Sequence, residues 1–187
     1  MNFAPQKKGL TLSELLTATV LVSVILLGVM GFSLTLQRFQ STQQRSSILR
    51  IRADSVFADM SRNVYRAIGS KLDKGLQVFP PSKLTVRVDR NPTPTPTYAD
   101  DTWITYWFTN DHRLLRCIPS DNTGVCNLAT AEVLLDNVEA YNIVQQQNAV
   151  SVTITLVYDM SPGYVVDIMK NPRYTSSGGF SCVLSSF

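Results

Sequence analysis

The chain has 187 residues, with 17 Lys and Arg against 14 Asp and Glu, for a formal charge of +3. That length holds one globular domain of ordinary size plus an accessory element, and it excludes two large domains. The charge is too small to argue for a nucleic-acid binder, and because Lys7 and Lys8 precede Gly9, a chain starting at Leu10 carries only +1.

Apolar residues are unevenly spread: no charged residue occurs from Leu15 to Leu36, whereas charges are frequent through the rest. This run, LLTATVLVSVILLGVMGFSLTL, spans about 33 Å as a helix at about 1.5 Å per residue, enough to cross a hydrocarbon core of about 30 Å. A secretory signal peptide has a shorter apolar stretch followed by its cleavage site. The longer run here is expected to stay as an anchor. Lys7 and Lys8 precede it, which retains the N-terminus in the cytoplasm and puts everything after Leu36 outside. Glu14 stands at the edge of the run, where a carboxylate costs several kcal/mol on entering lipid or a packed helical core, so it needs a partner. Gly28 and Gly31 permit close helix packing or local loosening of the helix, or are simply tolerated in a span; the sequence leaves this open.

Past Leu36 the helical character continues but becomes amphipathic: Ile48, Ile51, Phe57, Met60, Val64 and Ile68 recur at near-helical spacing with arginines between them. No proline interrupts from Gln6 to Phe79. The simplest expectation is one helix from about Thr11 to Ala67 or Ile68, with Gly69 as its stop. Among Arg38, Arg45, Arg50, Arg52, Arg62 and Arg66, the last two are the candidates for a DNA-binding face. A solvated face is preferred, with Arg50 paired to Asp54 and Asp59 to Arg62, because aromatic interleaving is sparse.

Beyond Gly69 the period changes to that of strands. Leu84–Val88 alternates, and Trp103–Thr109 is rich in aromatic and β-branched residues. Leu114–Ile118 comes after the turn-like Asn110-Asp111-His112-Arg113. Val138–Val144 and Val150–Tyr158 read as a second hairpin turned around Gln146 to Asn148. About four strands are expected, in an antiparallel sheet whose apolar face packs on the amphipathic half of the helix: an α+β fold. Asn91-Pro92-Thr93-Pro94-Thr95-Pro96-Thr97 reads as an extended, polyproline-like surface loop, preferred as a spacer over a recognition element. Asp100 and Asp101 are expected to be an exposed loop pair rather than a calcium site.

All three cysteines, Cys117, Cys126 and Cys182, lie in the C-terminal half, which suits an oxidising compartment. Cys117 and Cys126 flank Ile-Pro-Ser-Asp-Asn-Thr-Gly-Val, whose proline and glycine suit a reversing loop, and a disulfide between them is expected. Cys182 is left over. The spacing does not fit zinc, and no metal or cofactor is expected. No nucleophile elbow, phosphate-binding loop, zinc-protease or dinucleotide motif occurs, and His112, in a predicted turn, reads as a surface residue. The chain is expected to be the substrate of an enzyme rather than an enzyme.

That substrate reading comes from Lys7-Lys8-Gly9-Leu10-Thr11-Leu12-Ser13-Glu14-Leu15-Leu16, which resembles the type IV prepilin cleavage and methylation motif. The resemblance implies scission between Gly9 and Leu10 by prepilin peptidase, N-methylation of Leu10, and a filament-assembly role for Glu14 opposite the new amine of a neighbouring subunit. Leu10 stands where the family usually has phenylalanine, and Ser13 where it has an aliphatic residue. The hairpin Tyr106–Arg116, then Leu134–Glu139, then Val152–Leu156 is similar to minor pilins of the W type and pseudopilins of the J type. The implied organisation is a leader over 1–9, a membrane or filament-core helix over 10–36, its amphipathic continuation over 37–69, and a β-rich periplasmic or extracellular head over 70–187. The implied function is that of a minor type IV pilin or pseudopilin in the inner membrane, assembled with other pilins. The alternative is a filament-tip module that binds DNA or a surface ligand.

Overall fold

The computed structural model describes residues 11–69, 75–79, 82–89, 101–119, 123–146 and 149–182. Gly9, Leu10, the leader and the proline-rich stretch Asn91–Thr97 lie outside the described residues. The chain divides into two compact units, Met1–Ser41 and Thr42–Phe187.

In the first unit the described residues are almost wholly helical. α1 begins at Leu12 and runs to Tyr65 in the second unit. Within the apolar run, hydroxyl groups turn back onto the helix: Thr17 Oγ1 donates to Ser13 O and Glu14 O, Thr19 Oγ1 to Leu16 O, Ser23 Oγ to Thr19 O and Thr35 Oγ1 to Gly31 O, all at 2.8–3.1 Å. Each of these hydroxyls is thereby satisfied by a backbone carbonyl of its own helix, so the run presents a largely apolar surface despite them.

The second unit is a helix packed on two antiparallel sheets. Leu49, Ala53, Val56, Met60 and Val64 are the buried residues of α1, spaced by three or four so that they share one face. The first sheet is a five-stranded meander, β1 (Leu76–Phe79), β2 (Lys83–Val88), β3 (Thr102–Phe108), β4 (Leu114–Cys117) and β5 (Glu132–Leu135), in that order. The second has three strands, β6 (Val138–Gln146), β7 (Ala149–Val157) and β8 (Arg173–Ser181), again in order. Every pairing is antiparallel. Leu84, Val86, Tyr106, Phe108 and Leu114 from one sheet join Val150, Val152, Ile154, Leu156 and Phe180 from the other in a single core with the helix face. The α+β fold with a long N-terminal helix is therefore as expected, but about four strands in one sheet becomes, among the described residues, eight in two.

The extra strands are those with a weak pattern. β1 and β5 have four residues each, too few to show alternation. β8, Arg-Tyr-Thr-Ser-Ser-Gly-Gly-Phe-Ser, is mostly polar and buries Phe180 alone. Its Gly178 is required by packing, since a Cβ there would lie 3.0 Å from Phe57 of α1 and 2.8 Å from Phe180. The helix also ends earlier than its periodicity suggests. Ala67 bridges to Val88, and Ile68 N donates to Arg87 O at 3.0 Å, so the sheet takes over residues that the apolar spacing assigned to α1.

A side chain joins the two sheets. Gln145 of β6 accepts from Val78 N through Oε1 and donates to Leu76 O through Nε2, each at 3.2 Å. One amide thus pairs a donor and an acceptor of the edge strand β1 much as a neighbouring strand would. The outer face of the first sheet is covered as well. Thr85 and Thr105 meet there, oxygen to oxygen, at 2.9 Å and fully buried. Gly124, at φ +66°, approaches so closely that a Cβ would come within 2.9 Å of Thr85 Oγ1. Cys117 and Cys126 form the expected disulfide, with Cα atoms 5.8 Å apart, and so pin this covering loop to β4.

Candidate functional site

Thr11 and Glu14 open α1 as a reciprocal cap. Thr11 N and Thr11 Oγ1 both donate to Glu14 Oε2 at 2.9 Å, and Glu14 N lies 3.4 Å from Thr11 Oγ1. Threonine with glutamate three residues later satisfies otherwise orphaned helix-end donors, and a carboxylate in the first turn also faces the positive end of the helix dipole. Glu14, which the sequence marks as in need of a partner, finds a local one in the fold. Among the described residues no hydrogen bond is made to Oε1.

Beyond Glu14 the helix presents a surface that water does not tolerate. Fifteen large apolar side chains from Leu15 to Phe39 are exposed, the least of them Leu36 at 42%. Burying such side chains is worth about 1.5–3 kcal/mol each, or on the order of 20–45 kcal/mol for the set. The unfolded chain exposes the same side chains, so they add little to folding in water, whereas moving them into lipid or against other chains gains more than the roughly 5–15 kcal/mol by which a folded domain is stable. The helix is long and apolar enough to cross a membrane. Gly28 and Gly31 lie on it with nothing within 4 Å of a built Cβ, which leaves room for a close external neighbour.

No family model, curated protein or solved structure matches the chain.

In the second unit the polar residues serve the fold. Arg50 and Asp54 pair at 3.7 Å as expected, both exposed. Asp59 does not pair with Arg62. It accepts from Arg116 Nη1 at 2.9 Å and from Tyr106 Oη at 2.7 Å, while Asn63 Nδ2 donates to the same tyrosine oxygen at 2.6 Å. Asp59 and Asn63, one turn apart beside the buried Met60, thus lock α1 onto β3 and β4. Burial pushes the Tyr106 phenol far above its ordinary range. A pair one turn apart on the helix is visible in the sequence, but its partners lie more than forty positions away.

Asp101 is a second correction. Its side chain is 0% exposed and faces Arg87, 3% exposed, with Nε to Oδ2 at 3.5 Å. The preceding strand β2 buries both of its faces, so the arginine in it requires a counter-charge inside. Asp100 lies outside the described residues. With Asp101 turned inward onto a cation, it is not a member of an exposed acidic pair.

The other candidates are exposed or structural. Arg62 and Arg66 are exposed one helical turn apart. His112 sits in the β3–β4 turn at φ +61°, its Nδ1 donating to Val138 O at 3.1 Å, which fixes the start of β6. Cys182 is buried, and desolvation raises its thiol pKa. Among the described residues no group of three or more His, Cys, Asp or Glu is placed to hold a metal.

Proposed function

We propose that the chain is a type IV pilin-like subunit, a minor pilin or pseudopilin. On this reading prepilin peptidase cuts between Gly9 and Leu10, and the new Leu10 amine is N-methylated. The helix anchors the subunit in the inner membrane until it joins a filament of related subunits, and the head carries no reaction of its own. The observation that carries the proposal is the exposed, charge-free face of α1 that begins directly after a capped glutamate and a Lys-Lys-Gly sequence.

Glu14 then has two tasks. Oε2 closes the helix end through Thr11, and Oε1 is open to the terminal ammonium of a neighbouring subunit. In a bundle of low dielectric such a pair sets axial register, because a displaced carboxylate loses its counter-charge and keeps its desolvation cost. Glu14→Ala is expected to be cut normally but to enter filaments poorly when the variant is expressed in its own cells and sheared filaments are probed. Normal incorporation would count against the pairing. Failure of the variant to be cut would count against Glu14 acting in assembly rather than in processing.

A further inference from the structure

Among the described residues of the second unit, the β7–β8 connection forms the longest continuous exposed run. Every residue from Ser161 to Lys170 is exposed, and the loop includes Val165 at 76%, Ile168 at 84% and Met169 at 64%. Its shape is nonetheless set from within. Asp167 Oδ1 accepts from Met169 N at 2.7 Å and Lys170 N at 3.1 Å, and Asp167 and Asn171 exchange backbone hydrogen bonds at 2.9 and 3.1 Å. Asn171 Nδ2 donates to Asp159 O, and its Oδ1 accepts from Asp159 N, both at 2.8 Å. An ordered loop that keeps three large apolar side chains outward is placed to meet an apolar environment.

Its attachment says which one. Thr42 Oγ1 donates to Met169 O at 2.9 Å, Arg45 donates to Lys170 O, and Arg45 lies over the Tyr158 ring at 5.1 Å. The loop is therefore tied to the first turn of α1 in this unit, whereas Ala67, just past the far end of that helix, meets Val88 at the end of β2. Thr42 comes after Leu36, the end of the charge-free run, with only Gln-Arg-Phe-Gln-Ser between. Chain reach alone, at most about 3.6 Å per residue, keeps it within about 22 Å of Leu36. Tyr158 and Tyr164 belong to the same connection, and Lys170 adds an exposed cation. Apolar side chains, tyrosines and a lysine are the set that settles at the boundary between acyl chains and headgroups. Asp159 accepts from Ser161 and Asp167 from the loop backbone, and both keep their charge, with the exposed Lys170 offsetting part of that at Asp167.

We infer that the β7–β8 loop is an interfacial anchor, with Val165, Ile168 and Met169 inserted among lipid headgroups of the outer leaflet to fix the height of the head above the bilayer. The inference rests on the reading of Leu15–Leu36 as a membrane span. Its test uses the full chain in vesicles of phosphatidylethanolamine and phosphatidylglycerol, spin-labelled at Ile168→Cys or, independently, Val165→Cys. Ile25→Cys marks the span, Tyr65→Cys marks the distal helix end, and the parent chain treated alike serves as the blank for Cys182. The ratio of oxygen to nickel-chelate accessibility is expected to be highest at 25, lowest at 65, and several-fold above the 65 value at both 168 and 165. Loop labels as aqueous as that at 65, with 25 deep, overturn the anchor and leave the span standing. An aqueous label at 25 overturns both. Loop labels shielded from both reagents, and released on diluting protein in lipid, mean that a second copy covers the loop, and they also overturn the anchor.

Discussion

Asp101→Ala tests whether the buried ion pair is a structural requirement. Arg87 and Asp101 are 3% and 0% exposed, so solvent screening gives the guanidinium no relief once the carboxylate is removed. Breaking a buried pair by removing one partner costs about 3–5 kcal/mol. With a urea slope of about 2 kcal/mol/M, the unfolding midpoint is expected to fall by about 2 M. Both tryptophans of the chain, Trp103 and Trp107, lie in β3, and Arg87 stands over the Trp103 ring at 5.3 Å, so intrinsic fluorescence of the full chain in detergent reads this sheet directly. Replacing both partners, Arg87→Met with Asp101→Leu, is expected to restore stability to within about 1 kcal/mol of the parent, because neither buried charge remains. A midpoint shift below about 0.5 M for the single variant, or a double variant no better than the single one, would refute the reasoning.

Reducing the Cys117–Cys126 bond, or changing both to serine, is expected to cost about 2–3 kcal/mol for so short a loop, with faster hydrogen exchange at Thr85 and Thr105, which the loop covers; unchanged protection would show that the loop holds its place without the bond. The β7–β8 loop is expected to loosen in acid. Backbone amides of Met169 and Lys170 hold the Asp167 carboxyl below the ordinary aspartate range, and Ser161, chiefly through its hydroxyl, does the same for Asp159. A depressed folded-state pKa means that the stabilisation is present above the ordinary aspartate value and lost as pH falls through the lower one. Amide exchange at Met169 and Lys170 should thus be unchanged from neutral pH down to the ordinary range and rise below it, after correction for intrinsic rates; loosening already at pH 6 would contradict this.

The helix is legible in the sequence because its signals are local. A charge-free run needs no partner to be recognised, and Met60 and Val64 repeat at helical spacing whatever they pack against. The strands with alternating or β-branched patterns, β2, β3, β4, β6 and β7, are equally readable. β8 is not, because its edge position and Gly178 reflect the approach of Phe57 from a distant helix. The same distinction separates the polar sites. The Thr11–Glu14 cap is a spacing of three within one segment, yet a carboxylate at the edge of an apolar run points first to an external charge and leaves the threonine inconspicuous. Asp59 with Arg116, and Arg87 with Asp101, are pairings across the fold that no local spacing announces. The disulfide was foreseeable because a nine-residue separation with proline and glycine between the cysteines constrains the geometry by itself.

Processing at Lys7-Lys8-Gly9, with the assembly determinant carried at Glu14 just beyond the cut, is the claim on which the functional reading depends. Intact-mass and N-terminal analysis of the protein isolated from its own cells tests it most directly. A chain that begins at Leu10 and bears one added methyl group is the predicted result. A chain that retains Lys7, Lys8 and Gly9 would contradict it.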